Sequence, residues 1–472
     1  MTFNSYAFLV FFAVVYGLYL VLDHKWQNRL LLAASYFFYG WWDWRFVFLL
    51  ALSTGMDFTC GRMIDRSREK ERKRIFLILS MVLNLTLLGF FKYFNFFAES
   101  LRDTLAALGV DVHITTLHIL LPVGISFYTF QSMSYIIDVY RGHLRASTDL
   151  EEFAVFVAFF PQLVAGPISR ATDLLPRVQN PRTVTWEKVK DGSALIFWGL
   201  FKKIYIADNC AKLANLAFAD PSSHSGASML VAVYVFAFQI YCDFSGYSDV
   251  ARGLAKLMGF ELMLNFNLPY FSLNPTEFWR RWHISLSTWL KDYVYISLGG
   301  NRKGVFKTYR NLFLTMFLGG LWHGAAWNFL LWGTYQGALL IGHRLAGPLL
   351  ARVPTRSKPS LWTWTAVRWV VAFHLICLGW LLFRGSSVAQ ILEVLGRIFL
   401  HFSPDAETRA WILKLFAYTF VLIGVQIFQL VKQDLAFYPR LPAAARVAYV
   451  SLALYLLTAY GATAESFIYF QF

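Results

Sequence analysis

"DRSREKERKRIFLILSMVLNLTLLGFF", residues 65–91, sets six basic side chains directly before seventeen residues without a charge. Lipid offers no partner to a backbone N–H or C=O, so only helices and closed barrels span it, and this run lacks the alternation of a barrel strand. Similar runs are "SYAFLVFFAVVYGLYLVL" (5–22) and "WILKLFAYTFVLIGVQIFQLV" (411–431); a crossing takes about 20 residues. The chain has 472 residues, 57% hydrophobic and 15% charged, against about 25% charged in soluble domains. The expected fold is all-α: a polytopic integral membrane protein of about 11–13 helices, with re-entrant segments around a central tunnel.

A net charge of +15 would suggest a nucleic-acid partner in a soluble protein. Here the basic residues sit in short loops between apolar runs, the pattern of membrane orientation and anionic-lipid contact, so phospholipid rather than nucleic acid is expected. Cys60, Cys210, Cys242 and Cys377 are far apart, in or beside apolar segments, with no metal or disulfide spacing. The first apolar run has no basic region before it and no small-residue cleavage site after it, so it reads as a retained helix.

Basic loops mark the cytoplasmic side. "DHKWQNR" (23–29), 65–74, "RGHLR" (141–145), 170–190, "NRKGVFKTYR" (301–310), 344–358 and 432–446 are expected inside. The loop 98–116, "FADPSSHSGA" (218–227) and the tail "GATAESFIYFQF" are expected outside, with the N-terminus on that same outer face. One membrane domain is expected over 1–472: N-terminal helices 1–145, a core 146–345 and C-terminal helices 346–472. In the core, "FPQLVAGPISR" (160–170) interrupts an apolar stretch with Gly166 and Pro167, and "YCDFSGYSDVARG" sets Asp243, Ser245, Ser248 and Asp249 beside an apolar helix. Broken helices and polar side chains at membrane depth belong inside protein or along a wet cavity, which is expected within 150–330.

"GGLWHGAAWNF" (319–329) places His323 thirteen residues after Arg310, roughly 20 Å from the basic boundary and beyond the middle of a ~30 Å hydrocarbon core. A histidine there is either a functional group or one bonded to a neighbouring helix, with the glycines and alanines serving close packing. His283 stands in "FWRRWHISLSTWL" with Arg280, Arg281, Lys291 and Asp292. It reads either as part of an interfacial anchor or as part of an anion-binding entrance near the cytoplasmic face, where Arg302 and Lys303 would join in holding a phosphorylated donor. His24, His113, His143, His224, His343 and His401 fall in loops or near span ends, and His118 and His374 lack a polar cluster. No metal-ligand spacing, nucleophile elbow, phosphate-binding glycine loop or dinucleotide fingerprint is present. What remains is a general base in a tunnel where a thioester and a hydroxyl meet.

At these residues the chain resembles the membrane-bound O-acyltransferase family, in the branch of the bacterial alginate O-acetyltransferase membrane subunits. The blocks are "LLLAASYFFYGWW", "LPVGISFYTFQSMSYIIDVYRG", "FPQLVAGPISR", "DFSGYSD", "TEFWRRWHISLSTWLKDYVYISLGGNRKG" and "NLFLTMFLGGLWHGA". The resemblance implies His323 as the catalytic histidine and His283 as a second characteristic one. It implies acetyl-CoA as a cytoplasmic acyl donor with no bound cofactor or metal, and an exopolysaccharide acceptor such as alginate or cellulose, reached through a periplasmic acetyltransferase or polysaccharide-modification subunit. Within or beside the blocks, the candidate substrate contacts are Arg280, Arg281, Trp282, Asp292, Arg302, Lys303, Asp243, Ser245, Asp249, Trp322 and Asn328. Two other functions fit the residues: D-alanyl or other acyl transfer to a different envelope acceptor, and a conduit without chemistry in which Asp243 and Asp249 line the path.

Overall fold

The computed structural model describes residues 1–353, 357–462 and 465–468. Residues 354–356 of the expected inside loop 344–358, and 463, 464 and 469–472 of the tail, lie outside the described residues. Among the described residues every regular element is helical. Six helices are long and apolar enough to cross a membrane unaided: Arg45–Arg66, Lys70–Ala107, Gly226–Leu257, Lys358–Arg384, Ala406–Lys432 and Ala443–Tyr460. Tyr6–Val21 is apolar but shorter. The remaining helices are shorter still, broken or more polar. The helix over the opening stretch continues through a π-helical turn at Gly89–Tyr93 as far as Ala107, so the expected loop 98–116 is helical over its first ten residues. The charges of "AESLRD" end the apolar run without ending the helix, because Glu and Arg are good helix formers.

The chain divides into two compact units, Met1–Ile196 with Val250–Met263, and Phe197–Asp249 with Leu264–Phe472. In the first unit Asp23 accepts from Trp26 N at 3.0 Å and Asp149 accepts from Glu151 and Glu152 N, each starting a helix as N-cap acceptors do. Helix Arg45–Arg66 is tied to its successor by buried polar groups. Asp57 accepts from Ser80 Oγ at 2.6 Å and from Asn84 Nδ2 at 2.9 and 3.1 Å. Such bonds join helices where lipid provides no alternative partner. The break expected at Gly166 and Pro167 is present: helix Leu150–Ala158 ends at Phe159, a single turn covers Phe160–Leu163, and the chain runs non-helical and buried to Ser169.

In the second unit the long helix Gly226–Leu257 supplies Phe244 and the acidic residues beside it. The expected polar segment becomes three short pieces: helices Pro275–Arg281 and Ile284–Trp289 and a π-helical turn Leu290–Tyr295. Helix Val305–His323 then folds back on helix Trp327–Leu350. The two approach backbone to backbone, since a Cβ on Gly320 would stand 3.0 Å from Gly333 Cα. The described part of the tail turns inward: Ile468 N donates to Asp243 Oδ2 at 2.8 Å, and Phe467 lies 4.8 Å from the Tyr247 ring.

Candidate active site

The basic stretch 301–310 is not a loop throughout. Its residues from Val305 onward form the first turns of the helix, and His323 is the last residue of that helix, about 27 Å along the axis from its start at 1.5 Å per residue. The turn that follows needs Gly324: a Cβ there would stand 2.1 Å from the Phe329 ring, which covers it. His323 is thereby held inside at 5% exposure, among aromatic rings. Trp322 and Trp332 lie edge-on to it with centroids at 5.0 Å, and Phe383 at 5.4 Å.

His283 is turned into the same space. Helix Pro275–Arg281 ends at Trp282, and His283 takes a left-handed conformation with φ of 42° before the next helix begins. A side chain in that region is strained and persists only where its surroundings fix it. Here Asn265 fixes it: Ile284 N donates to the Asn265 backbone oxygen at 2.9 Å, Ser285 N and Oγ donate to its side-chain oxygen, and Asn267 N donates to the Arg281 oxygen. The result corrects both readings of His283 drawn from sequence. It is neither an interfacial anchor nor an entrance group, but 0% exposed. Its ring is edge-on to Phe244 at 4.6 Å, 5.9 Å from Trp322 and 6.4 Å from His323. The left-handed turn is the physical reason, because it points the imidazole away from its basic neighbours.

Of those neighbours, Arg280 and Lys291 line a cavity of about 570 Å³, with Trp279, Met316, His343 and Arg344 also in its wall. It begins at Thr276 and extends to Gly347, past the expected limit of 330. On the His323 helix its last lining residue is Met316, seven residues before the histidine and so about 10 Å away. Between them stands a ring relay, with Trp279 of the lining 5.8 Å from Trp332, which touches His323.

The other candidates fall in several places. Arg280 lines the cavity, whereas Arg281 pairs with Glu277 at 2.9 Å and donates to the Asn267 oxygen. Arg302 and Lys303 are exposed on the turn before the helix and do not line the cavity. Asp292 lies 3.4 Å from Lys291. Trp282 is 1% exposed and 4.6 Å from Trp380, and Asn328 donates to the Phe383 oxygen at 3.2 Å. Asp249 and Ser245 contact Lys202, at 2.7 and 3.0 Å. Asp243 contacts Lys203 at 2.9 Å, as does Asp208 at 2.7 Å.

Sequence reading missed Asn265, Phe244, Phe383 and the Arg344 side of the cavity. For the last a signal existed: Leu340, His343, Arg344 and Gly347 repeat at helical spacing, yet His343 reads as one of the histidines in loops or near span ends. His374 shows how a histidine in an apolar run is satisfied without a local cluster, its Nε2 meeting Tyr234 OH at 2.8 Å.

Two buried imidazoles walled by aromatic rings, near a cavity lined by Arg280, Lys291 and Arg344, are an arrangement that suits group transfer within a membrane. Residues 141–383 match the model of MBOAT, the membrane-bound O-acyltransferase family. The chain belongs to that family and is an acyltransferase. It is 47% identical over 404 residues to a probable alginate O-acetylase AlgI of Pseudomonas aeruginosa, an alignment covering 84% of this chain and 74% of that protein. It is 35% identical over 444 residues to a peptidoglycan O-acetyltransferase of Helicobacter pylori, covering 86% and 82%. A teichoic acid D-alanyltransferase of Bacillus subtilis is 31% identical over 282 residues, covering 56% and 69%.

Proposed function

We propose that the protein moves acetyl groups from a cytoplasmic thioester, acetyl-CoA, to a hydroxyl presented from the opposite face of a bacterial inner membrane, for O-acetylation of an exopolysaccharide such as alginate. The observation that carries this reading is the paired histidines 6.4 Å apart in a ring-lined chamber, about 10 Å along one helix from the cavity bearing Arg280, Lys291 and Arg344. The cations suit the phosphates of coenzyme A, and the apolar inner wall suits its pantetheine arm. The N-terminus is then periplasmic, and the basic residues of the alternate loops support that orientation. A periplasmic acetyltransferase or polysaccharide-modification subunit receives the acetyl group.

In the reaction, the acceptor hydroxyl oxygen attacks the thioester carbon while His323 takes its proton. The tetrahedral intermediate collapses, the carbon–sulfur bond breaks, and the departing thiolate takes the proton back. The products are the acetyl ester and the free thiol. The longer alignments, to proteins named for O-acetylation of alginate and peptidoglycan, support acetyl as the group moved. The D-alanyltransferase alignment covers 56% of the chain, which gives that alternative less support. The test is transfer from labelled acetyl-CoA to a purified periplasmic partner or surrogate hydroxyl in proteoliposomes. His323→Ala is expected to lose at least about 10²-fold in rate, and wild-type transfer by the folded variant would refute the reading. D-alanyl transfer from a carrier-protein thioester, without acetyl transfer, would move the protein to the alternative.

A further inference from the structure

Trp332 lies on helix Trp327–Leu350 and is 1% exposed. Besides its 88° edge-on contact with His323, it touches Phe383 at 5.4 Å and stacks near Trp380 at 6.4 Å. Its indole N–H is buried with no hydrogen-bond partner among the described residues. Gln336, one turn further along the helix, accepts on its side-chain oxygen from Trp279 Nε1 at 3.2 Å, so that acceptor is already engaged. Buried donors without acceptors are rare because leaving them unmade is costly, and each one asks for an explanation. Packing does not supply it, since a phenylalanine would bury an aromatic ring there with no donor to satisfy. A donor kept unmatched beside Gly379, where a Cβ would stand 3.7 Å from it, on the ring that packs edge-on against a proposed general base, is poised for an oxygen that arrives with the substrate.

We propose that Trp332 Nε1 donates a hydrogen bond to the carbonyl oxygen of the acyl thioester. This rests on the acyl-transfer reading above. As the hydroxyl oxygen attacks, the carbonyl π electrons move onto that oxygen. The N–H then faces a growing negative charge where no water screens it, and it holds that charge until the carbon–sulfur bond breaks and the electrons return. A fixed donor of this kind acts on the transition state more than on the bound substrate.

Trp332→Phe keeps an aromatic ring and removes the donor. In proteoliposomes its kcat should fall by about 10², with the KM for acetyl-CoA within about twofold of wild type, as expected for an interaction made mainly in the transition state. If the phenylalanine variant does not fold, benzothienylalanine at position 332, which replaces the N–H by sulfur in the same bicyclic shape, makes the same prediction. A second readout is infrared: carbonyl-labelled acetyl-CoA bound to inert His323→Ala protein should show its carbonyl stretch at lower frequency than when Trp332→Phe is added. A folded Trp332→Phe protein with wild-type kcat, or a carbonyl frequency unmoved by that substitution, overturns the proposal. His323→Ala separates the two layers. If it transfers normally, the general-base reading fails; if it is inert while Trp332→Phe transfers normally, only the assignment of Trp332 fails.

Discussion

Lys203 meets Asp208, Asp243 and the Glu465 backbone oxygen within 3.0 Å, and Lys202 meets Asp249 and Ser245, whereas His283 and His323 face Phe244, Trp322, Trp332 and Phe383. Both groups lie in one unit and both would draw attention in a hydropathy plot, yet they differ in kind. The lysines and aspartates answer one another, and an inward-turned tail segment joins them, so the cluster is a clamp. The imidazoles are walled by rings, near a cavity with a cationic rim, and this is the arrangement on which the proposed transfer rests. Depth in the membrane marks a polar residue as unusual, but only its partners say which role it has.

Breaking the clamp should produce the largest effect. Lys203→Met leaves Asp208 and Asp243 without their cation, and loss of one partner of a buried pair costs about 3–5 kcal/mol. A lowered melting temperature and poor yield in detergent are expected, with transfer per folded molecule close to wild type. A stable Lys203→Met protein that has lost transfer would move the lysines into the reaction and erase the contrast. On the other side, Asn265→Ala frees Ser285 and loosens the left-handed turn of His283. Losing a buried hydrogen-bond partner costs about 1–3 kcal/mol, and here it should appear as a lower kcat with a small loss of stability. A change in acetyl-CoA KM alone would mean that His283 serves donor binding.

Neutralising the cavity rim in Arg280→Gln/Lys291→Gln should raise the KM for acetyl-CoA at least about tenfold, since each charge-assisted bond is worth about 1.5–3 kcal/mol. Arg302→Gln/Lys303→Gln, on the exposed turn, should leave KM close to wild type. Equal effects from the two pairs would place the donor outside the cavity.

The smallest effect belongs to a polar cluster at the surface. Hydrogen bonds from Thr408 hold the Asp405 carboxyl down at about 2, where it caps helix Ala406–Lys432. A lowered folded-state pKa adds stability above the unfolded value of about 3.9 and loses it as pH falls towards the folded one. Asp405→Ala should therefore melt slightly lower than wild type at pH 7 and level with it near pH 2, with transfer unchanged. A gap that persists near pH 2 would mean that the cap does not depend on the ionised carboxylate.

Much of this was legible in the chain. Apolar runs of about 20 residues announce helices because lipid forbids alternatives, and Gly166–Pro167 announces the break that the structure contains. His323 was legible from its setting, a titratable ring among glycines and tryptophans far from any charge. The environment of His283 was not, because Arg280 and Arg281 beside it suggest a surface. Nothing local predicts that Trp282 and a left-handed residue reverse the direction of the side chains. Asn265 was invisible for a related reason: its contacts reach Ser285, twenty residues away, across a non-helical stretch without periodicity. Trp279, Trp332 and Phe383 stand among the many aromatics of apolar helices, and only three-dimensional proximity distinguishes a ring against His323 from a lipid-facing one.

The most direct test sets the two clusters side by side: transfer from labelled acetyl-CoA per folded molecule, together with melting temperature, for His323→Ala and Lys203→Met in the same proteoliposomes. The account predicts that His323→Ala melts like wild type and transfers at about 1% of its rate or less, while Lys203→Met melts lower and transfers normally. The opposite pattern, an active His323→Ala and a stable, inactive Lys203→Met, would contradict it.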